Sequence, residues 1–131
     1  MSTTDVVRAM FAAFAEDGVD GALRHFATDA VLEVGPETSA EPDTYEGVEG
    51  GRRYFDGFEG ALDEVRFDLV EVREELGPAI IADVRLRGVG AATRIPVEQE
   101  VLMTFEVEGD ELTRVVAHAT IESARAAITQ G

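Results

Sequence analysis

The sequence predicts an α+β fold in which helices come first and a run of long antiparallel strands follows. Two patterns carry this prediction. Apolar residues in the first half recur with the helical period of about 3.6, and those in the second half alternate with polar residues, as in half-buried strands. The clearest case is residues 96–122, where two alternating runs flank a turn at residues 108–111 and form a long hairpin. One face of that hairpin must be covered by other elements.

The composition indicates one domain, residues 1–131, and excludes several classes of function. Cysteine and lysine are both absent, which removes disulfides, thiolate nucleophiles, cysteine metal sites and Schiff-base chemistry. The formal net charge of −16 repels nucleic acid and anionic membranes, so we expect neither as a partner. No stretch resembles a signal peptide or a membrane span, and we therefore expect a soluble, cytoplasmic protein.

The N-terminal part predicts two helices and a strand. Residues 2–15 place Met10, Phe11 and Phe14 on one stripe, and this helix should end by Asp17-Gly18. A shorter helix over residues 20–25 ends at His25, where the helix dipole is reason enough for a histidine. A strand over residues 30–34 follows.

The middle of the chain predicts a loop and a third helix. Residues 35–47 are rich in Pro, Glu, Ser and Asp and are long enough to form a lid. Residues 48–62 set Tyr54, Phe55 and Phe58 at helical spacing, which indicates a core-facing stripe. The glycines of this helix cost about 1 kcal/mol each relative to alanine, so it must depend on tertiary packing.

Two further strands are predicted over residues 64–74 and 79–89, separated by a turn at residues 76–78. In the second strand apolar residues face one way, while Arg85 and Arg87 face the other. These arginines should lie across from Glu98 and Glu100 on the neighbouring strand, where opposite charges attract. Residues 123–130 close the chain as a short helix or tail.

This order of elements resembles the nuclear transport factor 2-like fold, a cone-shaped α+β barrel in which a curved antiparallel sheet wraps around N-terminal helices. Residues 26–33 (Phe-Ala-Thr-Asp-Ala-Val-Leu-Glu) resemble its entry into the first strand, and residues 45–50 (Tyr-Glu-Gly-Val-Glu-Gly) resemble its Tyr-x-Gly-x-x-Gly helix entry. Residues 112–115 (Leu-Thr-Arg-Val) resemble the start of its last strand. The resemblance covers essentially the whole chain and is to the SnoaL-like family, whose relatives include polyketide cyclases, ketosteroid isomerases and limonene-epoxide hydrolases.

The resemblance implies a pocket between the helices and the concave side of the sheet. Together with the alternation of the strands, it predicts a lining that is apolar with few exceptions and suits a small hydrophobic molecule, without a cofactor. The expected ligand-binding residues are Leu32, Val34, Tyr45, Phe58, Gln99, Val101, Met103, Phe105, Val115 and Ala117.

The catalytic groups of those relatives have no counterpart in this sequence. The position of the isomerase base falls on Val34, and that of the aspartate on the last strand of the cyclases and epoxide hydrolases falls on Ala117. The oxyanion-hole acid falls near Leu102 or Met103, and the first helix offers phenylalanines where the isomerases carry a tyrosine. Whether the chain is an enzyme therefore stays open.

The remaining candidate base is His118, and its direction depends on one residue of register. A two-residue turn at Gly109-Asp110 pairs Val101 with His118 and brings His118 and Thr120 beside Gln99 on the inner face. A bulge between residues 112 and 115 sends His118 to the outer face instead. The apolar pattern and the family comparison both favour the bulge.

Three functions follow from these observations. The first is a pocket domain that binds a small hydrophobic molecule. The second is an isomerase, cyclase or hydratase that acts on a lipophilic, polyketide- or steroid-like substrate with His118 as the base. The third is an assembly module without a ligand. His25 and His118 have no carboxylate at ligand spacing, so no metal site is expected.

A homodimer is also expected, formed through the outer face of the sheet. If His118 points outward, that face mixes apolar residues with opposite charges, which suits an interface between two copies. The residues concerned are Leu102, Thr104, Val116, His118, Thr120, Arg85, Arg87, Glu98 and Glu100.

Overall fold

The computed structural model describes residues 2–34, 43–118 and 120–130, and of residues 34, 43, 44, 56–61 and 127–130 it describes the backbone alone. Within these residues, helices and strands follow in the predicted general order. In chain order they are α1 (Thr3–Leu23), β1 (Phe26–Val34), β2 (Asp43–Glu46), α2 (Gly47–Ala61), β3 (Leu62–Leu76), β4 (Ala79–Gly90), β5 (Pro96–Glu108), β6 (Glu111–His118) and α3 (Ile121–Gln130).

Helix α1 contains both predicted N-terminal helices, joined at a kink. Ser2 caps its start, because the Ser2 side chain accepts a hydrogen bond from the Asp5 amide while the Asp5 carboxylate accepts one from the Ser2 amide. Gly18 has φ 67° and ψ −146°, a conformation outside the helical range that side-chain-bearing residues rarely adopt. The chain therefore changes direction at the predicted stop without a separate loop.

The sheet has six strands in the order β2-β1-β6-β5-β4-β3. Neighbouring strands are antiparallel except for β1 and β6, which run parallel, with Leu32 opposite Val115. Strand β2 was not expected, because residues 43–46 belong to the predicted loop; they pair instead with the end of β1. The rest of that loop, and with it the predicted lid, lies outside the described residues.

Helix α2 confirms the third predicted helix, and one of its glycines marks a close approach. A Cβ atom on Gly51 would lie 2.7 Å from Leu23 Cδ2 and 3.9 Å from carbon atoms of Leu32 and Phe26. The helix thus packs directly on the end of α1 and on β1. This contact is the tertiary support that the glycine-rich sequence requires.

The main apolar core lies between the inner face of the sheet and helices α1 and α2. Its largest fully buried side chains on the sheet include Phe105, Ile80 and Leu32. This arrangement confirms the α+β fold in which a curved sheet wraps around N-terminal helices. No helix in the described ranges is long and apolar enough to cross a bilayer.

The outer face of the sheet is covered in part by α3, which packs across β4, β5 and β6. Thr104, Val116 and His118 are buried there. The expectation that these three residues form an exposed surface is therefore wrong, because the C-terminal helix of the same chain covers them. Dimerisation itself stays a prediction.

Beyond α3 the outer face carries the predicted ion pairs. Arg85 lies 3.0 Å from a Glu98 oxygen and 2.7 Å from a Glu100 oxygen, so the cross-strand pairing is confirmed. Arg87 also lies across from Glu98, as predicted, but its ion pair is with Asp68 on β3, at 2.5 Å. Such exposed pairs contribute little stability, on the order of 0–1 kcal/mol each.

Candidate functional site

A cavity lies in the middle of the inner core, between helices α1 and α2 and the concave face of the sheet. Aromatic rings contact one another around it: Phe11 and Phe105 have centroids 5.8 Å apart, and Phe14 and Phe67 are 5.2 Å apart, both edge to face. The lining consists of Met10, Phe11, Phe14, Phe26, Leu32, Tyr54, Phe55, Phe67, Val84, Met103, Phe105 and Val115.

These side chains leave little empty space in the conformation described. The volume that the centre of a water molecule can reach is about 30 Å³, room for roughly two water molecules. Pockets for drug-sized ligands measure about 300–1,000 Å³. A ligand larger than a few atoms therefore requires the aromatic side chains to move apart.

Tyr54 brings the one polar side-chain group, apart from sulfur, among the lining residues that the structure describes. Burial raises the pKa of the Tyr54 hydroxyl to about 12, with a smaller contribution from Tyr45. The hydroxyl is therefore neutral at physiological pH and can donate a hydrogen bond. Tyr45 itself packs edge to face on Tyr54 at 5.6 Å and lies beneath the Arg53 guanidinium at 5.2 Å.

The structure places four of the expected ligand-binding residues in the cavity wall: Leu32, Met103, Phe105 and Val115. Ala117 is buried in the surrounding core, and Val101 and Tyr45 pack against that core without lining the cavity.

Gln99 is not in the cavity, although it lies on the same strand as Met103 and Phe105. Residues 96–100 of β5 are all exposed. The side chains of Val34 and Phe58 lie outside the described residues, so their expected role stays a prediction.

Most of the lining residues that sequence reasoning missed are aromatic. Phe11, Phe14, Tyr54 and Phe55 were assigned to ordinary core from their helical spacing, and Phe67 lies on a strand. The signal was present as two aromatic stripes, one on α1 and one on α2. That the stripes converge on a single point could not be read from either helix alone.

His118 lies on the opposite face of the sheet from the cavity. It pairs with Leu102, because the register between β5 and β6 shifts after Val107 and Leu112 and leaves Thr113 as an extra residue. The bulge reading is thus confirmed, and the two-residue-turn register that brings His118 beside Gln99 is wrong.

Beneath α3, His118 is buried and hydrogen-bonded through both ring nitrogens. Its Nε2 lies 3.3 Å from Thr104 Oγ1, and its Nδ1 lies 3.1 Å from Ser123 Oγ. Thr120 caps α3, since its Oγ1 accepts a hydrogen bond of 3.1 Å from the Ser123 amide. These contacts tie β5, β6 and the first turn of α3 together. Among the described residues, no group of three or more potential ligands is placed to hold a metal ion.

The chain resembles a known family in sequence and known proteins in structure. The sequence model of the SnoaL-like domain family matches residues 7–115. No curated protein sequence matches the chain.

Similar solved structures cover almost the whole chain at low sequence identity. An NTF2-like protein from Burkholderia thailandensis has 17% identity and a TM-score of 0.76, with 100% of this chain and 99% of that chain covered. A Catenulispora acidiphila protein with a ketosteroid isomerase-like fold, in complex with trimethylamine, has 16% identity and a TM-score of 0.72 over 92% of this chain and 89% of that chain.

The third similar structure is RV0760c from Mycobacterium tuberculosis in complex with estradiol-17beta-hemisuccinate. It has 17% identity and a TM-score of 0.73 over 93% of this chain and 97% of that chain. At such identities the likeness shows the fold alone.

Proposed function

The chain belongs to the SnoaL-like domain family, and on that premise we propose that it binds a small apolar molecule in the cavity enclosed by α1, α2 and the sheet. The observation that carries the proposal is the lining itself. It consists of aromatic and aliphatic side chains with two methionines, and the exposed wall is wholly apolar, which is the composition expected of a site for an apolar ligand.

The energetics favour such a ligand once the rings separate. Each Å² of apolar ligand surface removed from water contributes roughly 25 cal/mol before the costs of association. Aromatic side chains on both helices can contact the faces and edges of a ring system.

The main free-energy cost of ligand binding is the opening of the cavity, because the aromatic rings fill most of its space in the described conformation. Phe11, Phe14 and Phe67 are only partly buried, so they can turn outward without leaving a fully enclosed core. A ligand that takes their place shifts the population towards the open state. Similar proteins solved with a bound amine or a steroid hemisuccinate support a ligand site in this fold.

The enzyme alternative receives less support from the geometry. An isomerase, cyclase or hydratase needs a base within reach of the substrate. His118 is separated from the cavity by the sheet and is held by Thr104 and Ser123. A ligand-free assembly module is distinguished from a binding domain by direct titration.

The test is a fluorescence titration with phenylnaphthylamine, a neutral apolar probe that brightens when it leaves water. We expect saturable binding, and we expect Val115→Ile to weaken it about tenfold, because one added methylene in a pocket changes affinity by roughly 1–3 kcal/mol. Val115 lines the cavity, so the added group occupies space that the probe needs.

The matched control is Val116→Ile, the neighbouring residue on β6. Val116 is also buried but faces the outer side of the sheet, so this variant should bind the probe like the wild type. Absence of saturable binding, or equal weakening in the two variants, would contradict a site in the cavity.

A further inference from the structure

An open groove lies directly outside the cavity, between α1 and the edge strand β3. It has a volume of about 420 Å³ and is lined by Arg8, Ala12, Leu69 and neighbouring residues. Phe11 and Phe67 line both this groove and the cavity. The groove and the cavity are therefore separated at this point by two aromatic side chains.

Of the two walls of the groove, the one formed by β3 should open more easily. In the described part of the chain, strand β3 lies at the edge of the sheet and pairs only with β4. Its register against β4 is irregular between Leu69 and Glu71, at the groove itself. An edge strand with bulges has fewer backbone hydrogen bonds to hold it than a central strand, so local opening costs less there.

Among the described residues that line the groove, Arg8 is the one basic residue, and Asp68 and Glu71 are the acidic ones. Most arginines in the described part of the chain form ion pairs, but Arg8, Arg53 and Arg66 have no carboxylate within 4.0 Å there. Of these three, Arg53 lies over the Tyr45 ring. Arg8 is exposed on the first turns of α1, one helical turn before Phe11.

Two carboxylates line the same groove, and each lies within 4.0 Å of an arginine other than Arg8. Asp68 Oδ2 is 2.5 Å from an Arg87 nitrogen, and Glu71 Oε2 is 3.8 Å from Arg73 Nε. The Asp5 carboxylate accepts the hydrogen bond from the Ser2 amide that caps α1. Hydrogen bonds from Ser2 and, to a smaller extent, the charge of Arg8 lower the pKa of the exposed Asp5 carboxylate, so the Arg8 charge is partly balanced, but no carboxylate of the described residues lies within 4.0 Å of it.

We propose that the ligand carries one anionic group, a carboxylate or sulfonate, which binds Arg8 at the mouth of this groove while the apolar body passes Phe11 and Phe67 into the cavity. This inference rests on the function proposed above and adds the chemical class of the ligand. The cavity lining offers no cation, and an ion buried there would lose its hydration without compensation. The anionic group must therefore stay outside, where Arg8 is accessible.

The experiment uses two probes that share the anilinonaphthalene ring system. Anilinonaphthalene sulfonate carries an anionic group, and phenylnaphthylamine lacks it. We expect Arg8→Gln to weaken binding of the sulfonate roughly three- to fivefold, the upper part of the range of a single solvent-exposed ion pair, and to change phenylnaphthylamine binding less than about 1.5-fold.

Arg66→Gln is the matched control, because Arg66 is exposed, has no carboxylate partner in the described chain and lies outside the groove. It changes the net charge equally and should leave both affinities within about 1.5-fold of the wild type. An equal loss of sulfonate affinity in the two variants would show a long-range charge effect and overturn the assignment of Arg8.

The outcomes also separate this inference from the proposed function. If both probes bind and Val115→Ile weakens both, but Arg8→Gln changes neither, the cavity binds ligands and the role of Arg8 is refuted. If neither probe binds the wild-type chain, the proposed function fails and the inference fails with it.

Discussion

On strand β4, Ile80 and Ile81 are adjacent and both fully buried, yet they lie in different kinds of core. Ile80 faces the inner core beneath α1 and α2, opposite Phe105. Ile81 faces the outer side, opposite Thr104, in a thin layer that also contains Val116 and His118 and is covered by α3. The inner core is a broad aromatic cluster with a cavity, whereas the outer layer joins a few apolar residues to a hydrogen-bonded histidine.

This difference shows that the two faces of one sheet have different roles: the inner face surrounds the cavity, and the outer face binds α3. Alternation along each strand sends side chains to both faces, and in the described residues the cavity lies on the inner face, which α1 and α2 cover. On the outer face a single short helix lies close to the strands, and His118 fixes its position through Ser123. A substitution on the outer face should therefore affect the packing of α3 without changing ligand binding in the cavity.

The largest effect is expected for the pair of isoleucines. Ile80→Ala should lower the free energy of unfolding by about 4 kcal/mol, because it opens a hole in a cluster held from several sides. Ile81→Ala should cost about 2 kcal/mol, since α3 can move towards the strands and fill part of the gap. Urea unfolding of both variants measures the difference. Equal losses would mean that the outer layer is packed as rigidly as the inner core.

A smaller effect is expected for His118→Ala. The substitution leaves the Thr104 and Ser123 hydroxyls without their imidazole partner, which should cost about 1–3 kcal/mol of unfolding free energy. Hydrogen exchange of the α3 amides should rise while phenylnaphthylamine affinity stays unchanged. Loss of probe binding in this variant would contradict the prediction and would mean that His118 affects ligand binding in the cavity.

The smallest effect on stability is expected for Leu102→Glu, at the margin of the area that α3 covers. Leu102 is half-buried, and the change should alter the free energy of unfolding by less than about 1 kcal/mol. If the chain pairs through the uncovered outer face, light scattering at micromolar concentration should give twice the 14.1 kDa chain mass for the wild type and the single mass for Leu102→Glu. A wild-type mass of one chain would end the dimer hypothesis.

The amino-acid sequence by itself determined the helices and strands whose signals are local. The stripe on α1, the stop at Gly18 and the alternation along β4 and β5 each depend on a few neighbouring residues, so periodicity and backbone preference sufficed to place them. The pairing of Arg85 with Glu100 followed from the same alternation.

Only the tertiary structure decided the features that depend on distant partners. Both registers of the β5–β6 hairpin satisfied the sequence, and the bulge at Thr113 selected the one that buries His118 beneath α3. The pairing of β2 with β1, the exposure of Gln99, and the meeting of the α1 and α2 aromatic stripes likewise depend on the tertiary structure. The physical reason is that packing energy depends on which surfaces meet, and a one-residue slip or a shift of one helix changes that without changing any local preference.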